Sequence, residues 1–113
     1  MLTYSQSSGE LKLRAVVLAV GYSGEGLARN TPANEGMILR GPIPRGKYLV
    51  GKPFRFRGKL IMRLRPAKPT ARKQRYYLHT GPESKGCINI PAEKVAPIAR
   101  IVENGERELQ VTV

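Results

Sequence analysis

The chain of 113 residues has one cysteine, one histidine, two phenylalanines and no tryptophan. A single cysteine excludes an internal disulfide and any multi-cysteine metal site, and a single histidine beside it leaves a protein-only zinc centre short of ligands. No metal and no cofactor are expected. Two Phe and five Tyr offer few platforms on which nucleic-acid bases could stack. Acidic residues are scarce as well: 8 Asp+Glu against 20 Lys+Arg give a net charge of +12, which favours anionic partners such as nucleic acid, lipid headgroups or a polymer carrying carboxylates and phosphates. The basic residues are scattered through predicted strands and turns and form no tail, so nucleic-acid binding is the runner-up. Long apolar runs are also missing. Ala15 to Val20 is the strongest and is too short to span a bilayer. Glu10 precedes it and no clear small-residue cleavage site follows, so neither membrane insertion nor an export signal is expected. The length suits one domain, residues 1–113, with a modest core.

Many short strands can be read along the chain. Leu2 to Gln6 and Leu11 to Val20 are expected to be two strands joined by a turn at Ser7-Ser8-Gly9. Gly21 to Gly26, with three glycines, reads as a loop, and Pro32 stops any helix behind it. Gly41-Pro42-Ile43-Pro44-Arg45-Gly46 predicts a tight turn before a strand over Lys47 to Val50. Next, Phe54 and Phe56 alternate with Arg55 and Arg57, then Leu60, Met62 and Leu64 alternate with Ile61, Arg63 and Arg65 across a turn at Gly58-Lys59. This pattern predicts a hairpin with one core face and one cationic face. Ala67 to Arg75 reads as a basic loop. Val95, Ile98 and Val102 have helical spacing, and Pro97 is expected to confine the helix mainly to the turns that follow it. Leu109, Val111 and Val113 alternate as a closing strand. The fold class expected is all-β, a β-sandwich or partly closed barrel with one short helix near the C-terminus.

The sole histidine and the sole cysteine fall in one stretch, Tyr76 to Pro91, where His79 closes one predicted strand and Cys87 opens the next. The intervening residues, Thr80 to Gly86, read as a loop. An imidazole within reach of a thiol can take its proton and leave a thiolate nucleophile. Gly86, immediately before Cys87, would let backbone N–H groups turn inward to stabilise an oxyanion. A second reading stands beside this one, in which Cys87 packs as a small hydrophobe near a surface histidine.

The order His79, a loop, then Ser84-Lys85-Gly86-Cys87-Ile88-Asn89 resembles the signature of the L,D-transpeptidase catalytic domain of the YkuD type. Over nearly its full length the chain is similar to the small L,D-transpeptidase effectors of type VI secretion. The likeness runs through Leu2-Thr3-Tyr4, Gly21-Tyr22-Ser23-Gly24, Asn30-Thr31-Pro32, Gly41-Pro42-Ile43-Pro44 with Gly46 and Tyr48, and Met62-Arg63-Leu64. Lys85 stands where the general signature has a second histidine, so oxyanion donors are expected from the backbone. The resemblance implies a cysteine-dependent enzyme acting on the tetrapeptide stems of peptidoglycan. In it Cys87 is the nucleophile, His79 the base, the Thr80 carbonyl the holder of the imidazole tautomer, and Ser84 and Gly86 parts of the loop around the thiol. Tyr22, Ser23, Gly24 and Asn89 are the candidates to line the substrate cleft. It further implies an effector made in the cytoplasm without a signal peptide and acting in the periplasm of a target bacterium. Its partners would be peptidoglycan, a type VI apparatus and a periplasmic immunity protein.

Overall fold

A computed structural model describes residues 1–37, 40–68, 74–81 and 87–113. Ten strands form a sheet that nearly closes into a barrel: β1 Leu2–Ser5, β2 Glu10–Leu13, β3 Val16–Val20, β4 Tyr22–Ser23, β5 Gly46–Val50, β6 Phe54–Phe56, β7 Lys59–Pro66, β8 Tyr76–His79, β9 Ile88–Asn89 and β10 Glu108–Thr112. One helix, α1, spans Ala92–Glu103. The strand order is β3-β2-β1-β10-β5-β7-β8-β9-β4, with β6 paired to β7 off this path. The mostly-β architecture with a short helix near the C-terminus therefore matches the sequence reading.

The two ends of that order, β3 and β4, are consecutive in the chain and separated only by Gly21. A sheet whose opposite edges are joined by one residue has to curl back on itself, and Gly21 is the seam. Its N–H donates to Gly9 O at 2.8 Å. A Cβ built on Gly21 would lie 1.9 Å from Asn89 O, so only glycine lets β9 approach this closely.

Inside the curl lie Leu2, Tyr4 and Leu11 from the first hairpin, Tyr48 and Val50 from β5, Met62 and Leu64 from β7, Tyr76 and Leu78 from β8, and Leu109 and Val111 from β10. Tyr48 and Tyr76 meet edge to face with centroids 5.8 Å apart, an arrangement that suits the ring quadrupoles. β1 and β10 pair in parallel, Leu2 beside Leu109 and Tyr4 beside Val111, which locks the two ends of the chain together. Helix α1 buries Val95, Ile98, Ala99 and Val102 and packs against β7 and β3.

Several expectations need correction. The stretch from Leu11 to Val20 is not one strand. The chain reverses at Arg14-Ala15 with Arg14 in the left-handed region (φ 56°), and no Gly, Pro, Asn or Asp marks the turn. Helix α1 starts five residues before Pro97 and does not wait for it. So near the N-terminus proline forfeits a single backbone bond, to Glu93 O, and the buried apolar face outweighs it. The β6–β7 hairpin turns at Arg57-Gly58, both with positive φ (53° and 78°), so Lys59 belongs to the strand and pairs with Phe56. Phe54 and Phe56 are not core: they are 44 % and 54 % exposed. Of the predicted basic loop, residues 69–73 lie outside the described residues.

Candidate functional site

β8 ends at His79, and the chain passes from Thr80 to Cys87 before entering β9. Strands joined by so short a connection are ordinarily antiparallel, because a parallel crossover usually takes a dozen or more residues. Here β8 and β9 are parallel, with Leu78 beside Ile88 and His79 beside Asn89. Leu78 and Ile88 point inward and are buried. Since successive side chains alternate between faces, Tyr77, His79 and Asn89 belong to the other face, and Cys87 is the residue that leads into β9.

Cys87 immediately precedes β9; carrying the β8–β9 register back one residue sets it next to Tyr77, with its Cα about 8 Å from that of His79 by strand spacing and rise. Cys87 is half-buried and makes no disulfide.

His79 is fixed at two points. Its carbonyl accepts from Ile90 N at 2.9 Å, continuing the ladder past β9. Its Nδ1 lies 2.9 Å from Thr80 O. A carbonyl only accepts, so Nδ1 carries a proton, and in the neutral ring Nε2 keeps its lone pair. The imidazole is therefore held as the tautomer that a general base requires.

Gly81 follows in an extended, glycine-favoured conformation (φ 146°). Its carbonyl accepts from Tyr22 Oη at 3.1 Å and from Asn89 Nδ2. Tyr22 pairs with Asn89 across β4 and β9, and the Arg29 guanidinium lies over the Tyr22 ring at 3.9 Å. Tyr22 and Asn89 therefore anchor the segment after the histidine. A second, smaller cleft of about 230 Å³ on this flank is lined in part by Tyr22, Thr80, Gly81 and Asn89.

Ser23 and Gly24, expected to line the substrate cleft, are instead buried among backbone. Ser23 Oγ accepts from Ile43 N at 2.7 Å, and its own N–H donates to Asn30 Oδ1 at 3.0 Å. A Cβ on Gly24 (φ 98°) would meet Ala28 O at 2.9 Å. Both hold the loop after β4 in place. Ser84 and Gly86 lie outside the described residues.

The larger cleft lies on the other side of His79. It holds about 560 Å³ and is lined by Phe54, Phe56, Arg57, Lys59, Ile61, Tyr77, His79 and Thr80. Its far wall is the β6–β7 hairpin. Met62 pairs with Leu78 in antiparallel register, so extending the ladder sets Ile61 beside His79 and Lys59 beside Gly81. The sequence reading missed Phe54, Phe56 and Tyr77 as cleft residues, because an alternating Phe-Arg-Phe strand carries the same pattern whether or not a second layer covers it.

Among the described residues, no group of three or more His, Cys, Asp or Glu could hold a metal ion, and no helix is long and apolar enough to cross a membrane. No protein-family model, curated protein or solved structure matches the chain.

Proposed function

We propose that the protein is a cysteine-dependent peptidoglycan-modifying enzyme of the L,D-transpeptidase type, acting on tetrapeptide stems as an L,D-carboxypeptidase, a D-residue exchanger, or both. The observation that carries this reading is the His79 imidazole, its Nδ1 held by Thr80 O, at the end of β8 and beside β9, the strand that Cys87 leads into. In the proposed cycle, His79 Nε2 takes the thiol proton and Cys87 Sγ attacks the carbonyl of the third stem residue. The C–N bond to D-Ala breaks as His79 delivers that proton to the leaving amine, and a thioester remains. Water then adds to the thioester carbonyl while Nε2 accepts its proton. The S–C bond breaks, and the thiol is restored with the stem one residue shorter. An amine in place of water gives exchange or a cross-link.

The sequence likeness to type VI effectors supports delivery into a target periplasm and a periplasmic immunity partner in the producer. A second reading, a non-catalytic basic domain binding nucleic acid or cell wall, draws on the net charge of +12. Incubation with a purified tetrapeptide muropeptide, followed by intact-mass measurement, tests the chemistry. Loss of one D-Ala is expected from the wild-type protein and not from Cys87→Ala or His79→Ala. Full activity in Cys87→Ala refutes the mechanism.

A further inference from the structure

The larger cleft combines apolar walls with two cations, Arg57 and Lys59, and neither has a carboxylate partner among the described residues. Lys59 is the nearer to the imidazole. A Cβ placed on Gly81 would be 3.8 Å from both Lys59 Nζ and His79 Nδ1, which bounds the separation of ammonium and imidazole at twice that distance. The hairpin carries Lys59 over the segment from His79 to Gly81, and Lys59 and His79 line the same cleft.

Resting on the enzymatic reading above, we propose that Lys59, with Arg57 beside it, binds the free carboxylate of the leaving residue and so restricts the enzyme to unblocked stem ends. The chemistry fixes where such an anion falls. The leaving nitrogen must come within about 3 Å of the imidazole nitrogen that protonates it. In an amino acid the carboxylate carbon is two bonds from that nitrogen, about 2.5 Å away. The carboxylate of the departing residue therefore lies within about 6 Å of the imidazole, and Lys59 and Arg57 are the cations lining that cleft. Phe54, Phe56 and Ile61 complete it with apolar surface suited to the aliphatic part of the ligand.

The test compares two donors that differ at one group: a stem ending in D-alanine and the same stem ending in D-alaninamide, each followed by mass spectrometry. The full-length wild-type protein should prefer the free acid by about tenfold, as expected for a charge-assisted contact. The preference should appear in KM more than in kcat and shrink with added salt. Lys59→Gln should lose the preference, Lys59→Glu should invert it, and Lys59→Arg should keep most of it. Lys59 is exposed on a hairpin, so these variants should fold. A Lys59→Gln protein that still prefers the acid overturns the proposal.

A second measurement separates this proposal from the enzymatic reading. NMR titration of the Cys87→Ala protein with N-acetyl-D-alanine and with its amide should show binding of the acid alone, with shifts at Lys59, Gly81 and His79. Turnover without acid preference or acid binding removes the carboxylate site and leaves the enzyme. Acid binding without turnover removes the enzyme and leaves an anion site. Neither result with the acid removes both.

Discussion

Replacing Gly21 by alanine isolates the steric demand of the seam that curls the sheet. The new methyl would sit 1.9 Å from Asn89 O, whereas carbon atoms essentially never come within 3.0 Å of such a neighbour. Both partners are backbone, so no rotamer change relieves the clash, and β3–β4 must separate from β9 by more than an ångström. Overpacking of this kind costs about 1–3 kcal/mol and occasionally more, and the Tyr22–Asn89 pairing is strained with it. Gly21 is not in the left-handed region, so alanine suffers no conformational penalty and gains about 0.4–1 kcal/mol by restricting the unfolded chain. The expected net loss is about 1–2 kcal/mol. Gly36 is the matched control: its φ is also outside the left-handed region, and a Cβ there meets nothing within 4 Å among the described residues. Gly36→Ala should be neutral or slightly stabilising. Urea unfolding followed by circular dichroism gives both values if the slope is unchanged. On heating, Gly21→Ala should melt roughly 10 °C below Gly36→Ala. Equal midpoints for the two variants would refute the account of Gly21 as the seam.

Two further outcomes concern stability. The Tyr4 hydroxyl is buried with no hydrogen-bond partner among the described residues, and burial holds its pKa well above the ordinary tyrosine value. Tyr4→Phe should therefore leave the melting temperature unchanged or raise it by up to a few degrees, about 1 kcal/mol, and a marked loss of stability in calorimetry would contradict this. The Glu35 carboxyl is affected first by burial, which favours its neutral form. Hydrogen bonds from Gln6 and Arg45, with the charge of Arg45, outweigh that and depress its pKa. A depressed carboxylate stabilises the fold above its unfolded value of 4.5 and loses that contribution as the pH falls through the lower folded value. Wild-type urea midpoints should fall below about pH 4.5, and Glu35→Gln should flatten this drop by about 1 kcal/mol. Identical pH profiles would contradict the assignment.

Much of the molecule was legible in the sequence because it follows from local rules. Alternation gave β7 and β10, the Gly-Pro-Ile-Pro turn gave the entry to β5, and the spacing of Val95, Ile98 and Val102 gave α1. The sequence also singled out His79 and Cys87, since they are the one imidazole and the one thiol available. The turn at Arg14 escaped because a left-handed arginine there is imposed by the neighbouring strands and carries no turn residue of its own. Ser23 and Gly24 read as binding residues because a glycine-rich loop has the same composition whether it faces a ligand or packs against backbone.

The candidate nucleophile and base follow from which residue types exist in the chain, and the positions of their strands follow from the fold. Only the parallel pairing of β8 and β9 puts His79 across from Asn89 and Cys87 at the entry to the neighbouring strand, since side-chain alternation assigns faces and strand direction decides which residues stand side by side. Only the overhang of the β6–β7 hairpin turns Phe54 and Phe56 from core into cleft wall, because burial depends on whether another layer lies opposite, and no local pattern encodes that.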